Sequence, residues 1–147
     1  DGMRIRSDRE RRRLFPERGG RYREGATEQV YRRLRVMAGS ILDTGFHAIV
    51  DAAFLSIRQR REFLAWSKTR RTEAIILDFP DPGEEALVSR LRSRDPDDPS
   101  EATPEVVALQ REQRDPLTEE EARHAVPIDD RTSPEEVARL IDRPSLP

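Results

Sequence analysis

The 147-residue chain has no cysteine, which removes disulfides, thiolate metal sites and cysteine nucleophiles together. Lysine is nearly missing as well: Lys68 is the single one, and every other basic residue is arginine. Phosphoryl-transfer sites commonly use a lysine to reach phosphate oxygens, so this chain has one to offer. Aromatic residues make up 5%, too few to interleave with basic residues as in readers of single-stranded nucleic acid. No apolar run approaches the ~20 residues that cross a bilayer, and the charged start and apolar middle of a secretory signal are not seen. The expectation is a cytoplasmic protein without a membrane partner.

What is present is charge, unevenly spread. Charged residues make up 38% and hydrophobic residues 35%, so the segments cannot all be buried equally. Residues 1–35 carry twelve arginines against six carboxylates, residues 36–77 six basic groups against four, and residues 78–147 nine against nineteen. The basic end could meet an anionic ligand, or could be solvated helix faces. A nucleic-acid partner is the weakest reading, because the second half is strongly acidic.

Periodicity alternates between strand and helix. Met3–Ser7 alternates apolar and polar residues as a short strand does, and Ser7-Asp8 can cap a helix through Leu14-Phe15. Pro16 to Gly25 reads as loop. Val30, Leu34, Met37, Ile41 and Leu42 recur at helical spacing from Ala26 to Thr44, with Thr27 as a candidate cap and Gly45 as the stop. His47–Ala52 and Ala74–Phe79 are short apolar runs ending near an aspartate, the pattern of buried parallel strands. Helices are expected over Ser56–Arg71, Glu84–Leu91, Pro104–Arg111 and Thr118–His124, with a turn-rich loop at Asp95–Pro99. A last short strand is expected at Val126–Asp129. Ser133-Pro134 then opens a final helix, as N-cap and first helical residue. Strands alternating with helices define an α/β class with a mostly parallel sheet.

Ligands of such sheets bind beyond the carboxyl ends of the strands, which brings Asp8 and Asp51 forward as base or metal-organising candidates. Strand-end aspartate also caps helices, so both readings stand at this point. Arg90 and Arg94, leading into the loop Asp95–Ala102, suit a lid that closes on phosphates or cap a helix C-terminus.

The series Ile5-Arg6-Ser7-Asp8-x-x-Arg11, then Ile49-Val50-Asp51-Ala52-x-Phe54-Leu55 with Arg58, Arg60 and Arg61, then Arg90-x-x-x-Arg94 and Asp98-x-Ser100-x-Ala102 running to Val106-Val107-x-x-Gln110, resembles the P-loop kinases of polynucleotide-kinase and zeta-toxin-like type. The resemblance is closest to the ATP-binding half of bacterial proteins in which such a kinase follows an aminoglycoside-phosphotransferase-like domain. It implies a three-layer parallel sheet and a phosphotransferase using ATP and Mg²⁺ on a hydroxyl acceptor, either a small molecule or a nucleotide. In residue terms it implies Asp8 as the base, Arg11 on the acceptor-side phosphate, Asp51 near metal and base, and Arg90 and Arg94 on ATP phosphates from a lid over 90–104. One of Arg58, Arg60 and Arg61 would line the site. No residue is assigned as a metal ligand.

Against that pattern, Gly-x-x-x-x-Gly-Lys-Ser/Thr does not occur in the sequence. The sole Lys-Thr pair, Lys68-Thr69, has no glycine before it, and Ala53 replaces a small polar residue. The expectation is one domain over 1–147 lacking the first strand, the phosphate loop and the first helix of the fold. It would be the C-terminal part of a kinase that is inactive by itself, or a non-catalytic binding module of the same fold.

Overall fold

The computed structural model describes residues 1–21, 23–81, 83, 85–86, 89, 93, 103–129 and 131–141. In chain order the elements are β1 (Gly2–Arg6), α1 (Ser7–Leu14), α2 (Arg18–Arg21), α3 (Ala26–Asp43), β2 (His47–Asp51), α4 (Ile57–Thr69), β3 (Ile76–Asp78), α5 (Pro104–Gln113), α6 (Glu119–Ala122), β4 (Ala125–Pro127) and α7 (Pro134–Ile141). The helix expected over 84–91 falls largely outside the described residues, as does the loop at 95–99.

The parallel pairing and the alternation of strands with helices agree with the mixed α/β expectation. Among the described residues the strands form two separate parallel pairs, β1 with β2 and β3 with β4. Gly2 lies opposite His47 and Arg6 opposite Asp51 in the first; Ile76 lies opposite Ala125 and Asp78 opposite Pro127 in the second.

The core follows from the α3 stripe seen in the sequence. Ala26, Val30, Tyr31, Leu34, Ala38 and Ile41 line one face of α3 and bury against Ile5 of β1 and Phe15 beyond α1. Ala48 and Val50, on alternate positions of β2, pack against the same cluster. Gly25, with φ +74, sits in the left-handed conformation as the N-cap of α3, and Thr27 lies within the helix rather than capping it. Ser7 likewise is the first residue of α1, whose N-cap is Arg6. Ser56 with Gln59, and Thr118 with Glu121, complete reciprocal capping boxes for α4 and α6. Ser133 caps α7 as expected, accepting from the Glu136 N–H, with Pro134 as the first helical residue.

A buried ion pair joins the two halves of the chain. Arg60, 5% exposed, and Glu121, 1% exposed, meet in a bidentate contact: Nε to Oε1 at 2.9 Å and Nη2 to Oε2 at 3.1 Å. The remaining Arg60 donors reach the carbonyls of Phe54 at 3.0 Å and Pro116 at 2.9 Å. Glu121 also accepts from the Thr118 N–H, 2.9 Å away. A buried pair with every donor and acceptor occupied can repay its desolvation, whereas half of one cannot. Beside it, Asp115 donates its N–H to the Leu55 carbonyl at 2.8 Å and accepts the Ile57 N–H at 2.9 Å. The 115–121 segment is thus clasped to the turn between β2 and α4.

Removing one partner exposes the cost. Arg60→Ala is expected to lower the unfolding free energy by about 3–5 kcal/mol, and Arg60→Met with Glu121→Leu to recover most of that. Urea denaturation measures both. Burial pushes the Glu121 carboxyl up, but Arg60 and the Thr118 N–H outweigh it and hold its pKa below the ordinary 4.5. Its contribution is therefore complete above pH 4.5 and fades as pH falls through the lowered folded value. Glu121→Gln should flatten that acid dependence.

Candidate functional site

The parallel register of β1 and β2 places Arg6 and Asp51 side by side at the carboxyl ends of the two strands. Asp8 follows in the first turn of α1. Arg6 bridges the two carboxylates. Its Nη2 lies 2.5 Å from Asp8 Oδ2 and its Nε 3.1 Å from Oδ1, while Nε is 4.0 Å from Asp51 Oδ2. The Arg9 N–H donates to Asp8 Oδ1 at 2.7 Å. Arg4 reaches Asp51 Oδ2 at 2.7 Å from the exposed side. Half-exposed pairs like Arg4–Asp51 add about 0–1 kcal/mol of stability.

The other expected residues divide. Arg11 donates to the Arg21 carbonyl at 2.7 Å and to Thr27 Oγ1 at 3.2 Å, tying α1 to α2 and the start of α3. Arg58 lies on the surface with Glu28 and Glu62, and Arg61 is exposed. Arg60 belongs to the clasp and not to an open site. Arg90, Arg94, Asp98, Ser100 and Ala102 lie outside the described residues, with most of the lid expected over 90–104.

Other residues at this edge had no individual role assigned from the sequence. Phe54, in the turn after Asp51, has φ +46, a left-handed conformation that an aromatic residue adopts only when its surroundings impose it. Its N–H donates to Tyr31 Oη at 3.0 Å and its carbonyl accepts from Arg60. Its ring meets Tyr31 and Phe63 edge-on, with centroids 5.2 and 5.0 Å apart. Tyr31 and Arg60 thus fix the path of the chain leaving the Asp51 carboxylate. At the end of β3, Asp78 pairs with Arg114 at 2.5 Å, and Asp81 pairs with Arg111. Each parallel pair therefore ends in a carboxylate held by a guanidinium.

No group of three or more His, Asp or Glu residues among the described ones is arranged to hold a metal ion. Lys68-Thr69 does not serve as a phosphate cradle. It ends α4, with Lys68 3.5 Å from Glu120 and Thr69 Oγ1 donating to the Trp66 carbonyl at 2.7 Å. Among the described residues, this pair therefore offers no strand-to-helix turn that would hold the phosphates of a nucleotide.

Parallel strand pairs alternating with helices, with charged groups at their carboxyl ends, make this a mixed α/β protein. A family profile described as an AAA domain matches residues 1–117. The chain belongs to that family, one of P-loop NTPase-like, kinase-type proteins. A comparison with curated proteins gives no match.

Burial pushes the Tyr31 phenol above its ordinary 10.0, against the opposing effects of the Phe54 N–H and Arg11. Tyr31→Phe keeps the ring but leaves the Phe54 N–H without an acceptor, and is expected to cost about 1–3 kcal/mol by chemical denaturation. An unchanged midpoint would show that Phe54 holds its conformation without the phenol.

Proposed function

We propose that the chain is the acceptor-side part of a P-loop phosphotransferase that acts on a hydroxyl group. The observation that carries the reading is the convergence of Asp8 and Asp51 on Arg6 at the carboxyl ends of β1 and β2. Asp8 is the base: it takes the proton of the acceptor hydroxyl once Arg6 turns from the carboxylate to the acceptor's own negative charge. Asp51, held from outside by Arg4, keeps Arg6 at the edge while Asp8 is released. Arg11 acts one layer behind, fixing α1 and thereby the direction of Asp8. Arg90 and Arg94 are the arginines of the lid. Family membership supports a nucleotide and Mg²⁺ as the cofactors, and the sequence holds no Gly-x-x-x-x-Gly-Lys-Ser/Thr loop to cradle them. By itself the chain is inactive, and it works when a phosphate-loop segment completes it. A phosphotransferase-like domain joined to it is the partner that the sequence resemblance favours.

A second reading has one observation behind it. Both oxygens of Asp8 are engaged by Arg6, and one also by the Arg9 N–H, as in a settled structural contact. The chain would then be a non-catalytic binding module of the same fold.

Calorimetry on the chain alone should give no heat with Mg²⁺-ATP, and micromolar affinity would overturn the claim that the cradle is missing. In a form completed by a phosphate-loop segment, Asp8→Asn should cut phosphoryl transfer by roughly 10²–10⁴ with ATP affinity kept. Turnover within about tenfold of wild type favours the binding module.

A further inference from the structure

Four charged groups at the end of the first strand pair can be matched in two ways. Arg4 and Arg6 stand on one face of β1, with Ile5 between them turned into the core. The register sets Arg6 directly beside Asp51 and Arg4 beside Ile49. The ion pairs observed are not the ones that register alone would give. Arg6 leans forward to Asp8, and Asp51 is left to Arg4, whose Nη2 and Nε lie 2.7 and 3.0 Å from Oδ2. Arg6 Nε stays 4.0 Å from that same Asp51 oxygen.

This choice of partners has a physical cause. Arg6 gives Asp8 two charge-assisted bonds, of 2.5 and 3.1 Å, whereas the Asp51 oxygen nearest to it already carries Arg4. Without Arg4, Asp51 would be an uncompensated carboxylate directly across from Arg6. The consequence falls on Asp8, both of whose oxygens face protein donors, one of them also the Arg9 N–H at 2.7 Å. A hydroxyl reaches Asp8 Oδ2 by displacing Arg6. Water or a neutral alcohol offers Arg6 one neutral bond in exchange for two charge-assisted ones, each roughly twice as strong. An oxyanion offers it an equal fork.

We propose that Arg4 is a positioning residue which, by occupying Asp51, reserves Arg6 for two partners only: Asp8 when the edge is empty, and the oxyanion of an acceptor when it is filled. Resting on the phosphotransferase reading, this makes Asp8 a gated base. Water and neutral alcohols leave the Arg6–Asp8 pair closed, and an acceptor with a phosphate or carboxylate near its hydroxyl opens it. Arg4 acts through Asp51 and does not itself touch the acceptor. Arg11 holds no part of that oxyanion, since its guanidinium is bound to the Arg21 carbonyl and Thr27.

Arginine side-chain NMR on the full chain tests the gate through the Arg6 Nε–Hε signal, identified by its loss in Arg6→Lys. Glycerol phosphate and inorganic phosphate should each shift this signal saturably, and glycerol at the same concentration should not. Arg4→Gln should move the signal before any ligand is added, as Arg6 turns to Asp51, and weaken the glycerol phosphate response by about tenfold or more. Adding Asp51→Asn to Arg4→Gln should restore both the signal and the response, so that the two substitutions are strongly non-additive. Simple additivity overturns the proposal, because it leaves Arg4 only a general charge effect. A shift with glycerol alone overturns it too, because a neutral alcohol then opens the pair. An Arg6 signal indifferent to phosphate, with phosphoryl transfer retained in a form completed by a phosphate-loop segment, sinks the gate and leaves the phosphotransferase reading standing. A coupled, anion-specific response without transfer in that completed form upholds the arginine exchange and sinks the phosphotransferase reading instead.

Discussion

A buried guanidinium must have all its donors occupied, and the order of this molecule follows from how Arg60 meets that demand. Its fork takes the Glu121 carboxylate, while its other donors take carbonyls from the turn after β2 and from Pro116. Glu121 can be there because Thr118 makes it the third residue of a capping box, which orients its side chain back along α6. A local helix signal and a long-range ion pair thus share one carboxylate. The same contact anchors the turn through which the chain leaves Asp51, so the charged edge and the second strand pair are held by a common support.

The two-pair arrangement gives a physical sense to the mixture of strand types. β1 carries Arg4 and Arg6 and β4 ends in Pro127, residues common at sheet edges, whereas β2 and β3 carry the apolar residues that a parallel sheet normally covers on both faces. α3 covers one face of the first pair through Leu34, Ala38 and Ile41. On the other face, Arg4 and Asp51 meet at the surface beside Ile49.

Much of this was legible in the sequence because it depends on local spacing. The α3 stripe, the apolar runs of β2 and β3, the Ser133-Pro134 start of α7 and the placement of Asp8 and Asp51 at strand ends all follow from period and turn chemistry. The role of Arg60 did not, since Arg58, Arg60 and Arg61 look alike until the fold buries one of them. Thr118-x-x-Glu121 was a visible capping signal, but nothing local says that its carboxylate has a second partner. Phe54 was hidden for a related reason: a left-handed backbone is usually announced by glycine or asparagine, and here tertiary contacts impose it on an aromatic residue. The partition of the strands into two pairs is likewise a matter of which edges meet, which strand composition suggests and periodicity does not.

Position 54 has to satisfy two unlike requirements. Its backbone conformation favours glycine, whose lack of a Cβ would remove the strain, while its ring is a member of a mutually edge-on trio with Tyr31 and Phe63. Sequence drift there is consequently constrained in concert. A change to glycine frees the turn but opens a hole between α3 and α4, which a larger residue at position 31 or 63 would have to fill. Related chains should therefore show substitutions at 31, 54 and 63 that vary together, in step with the length and shape of the turn that follows the strand-end aspartate.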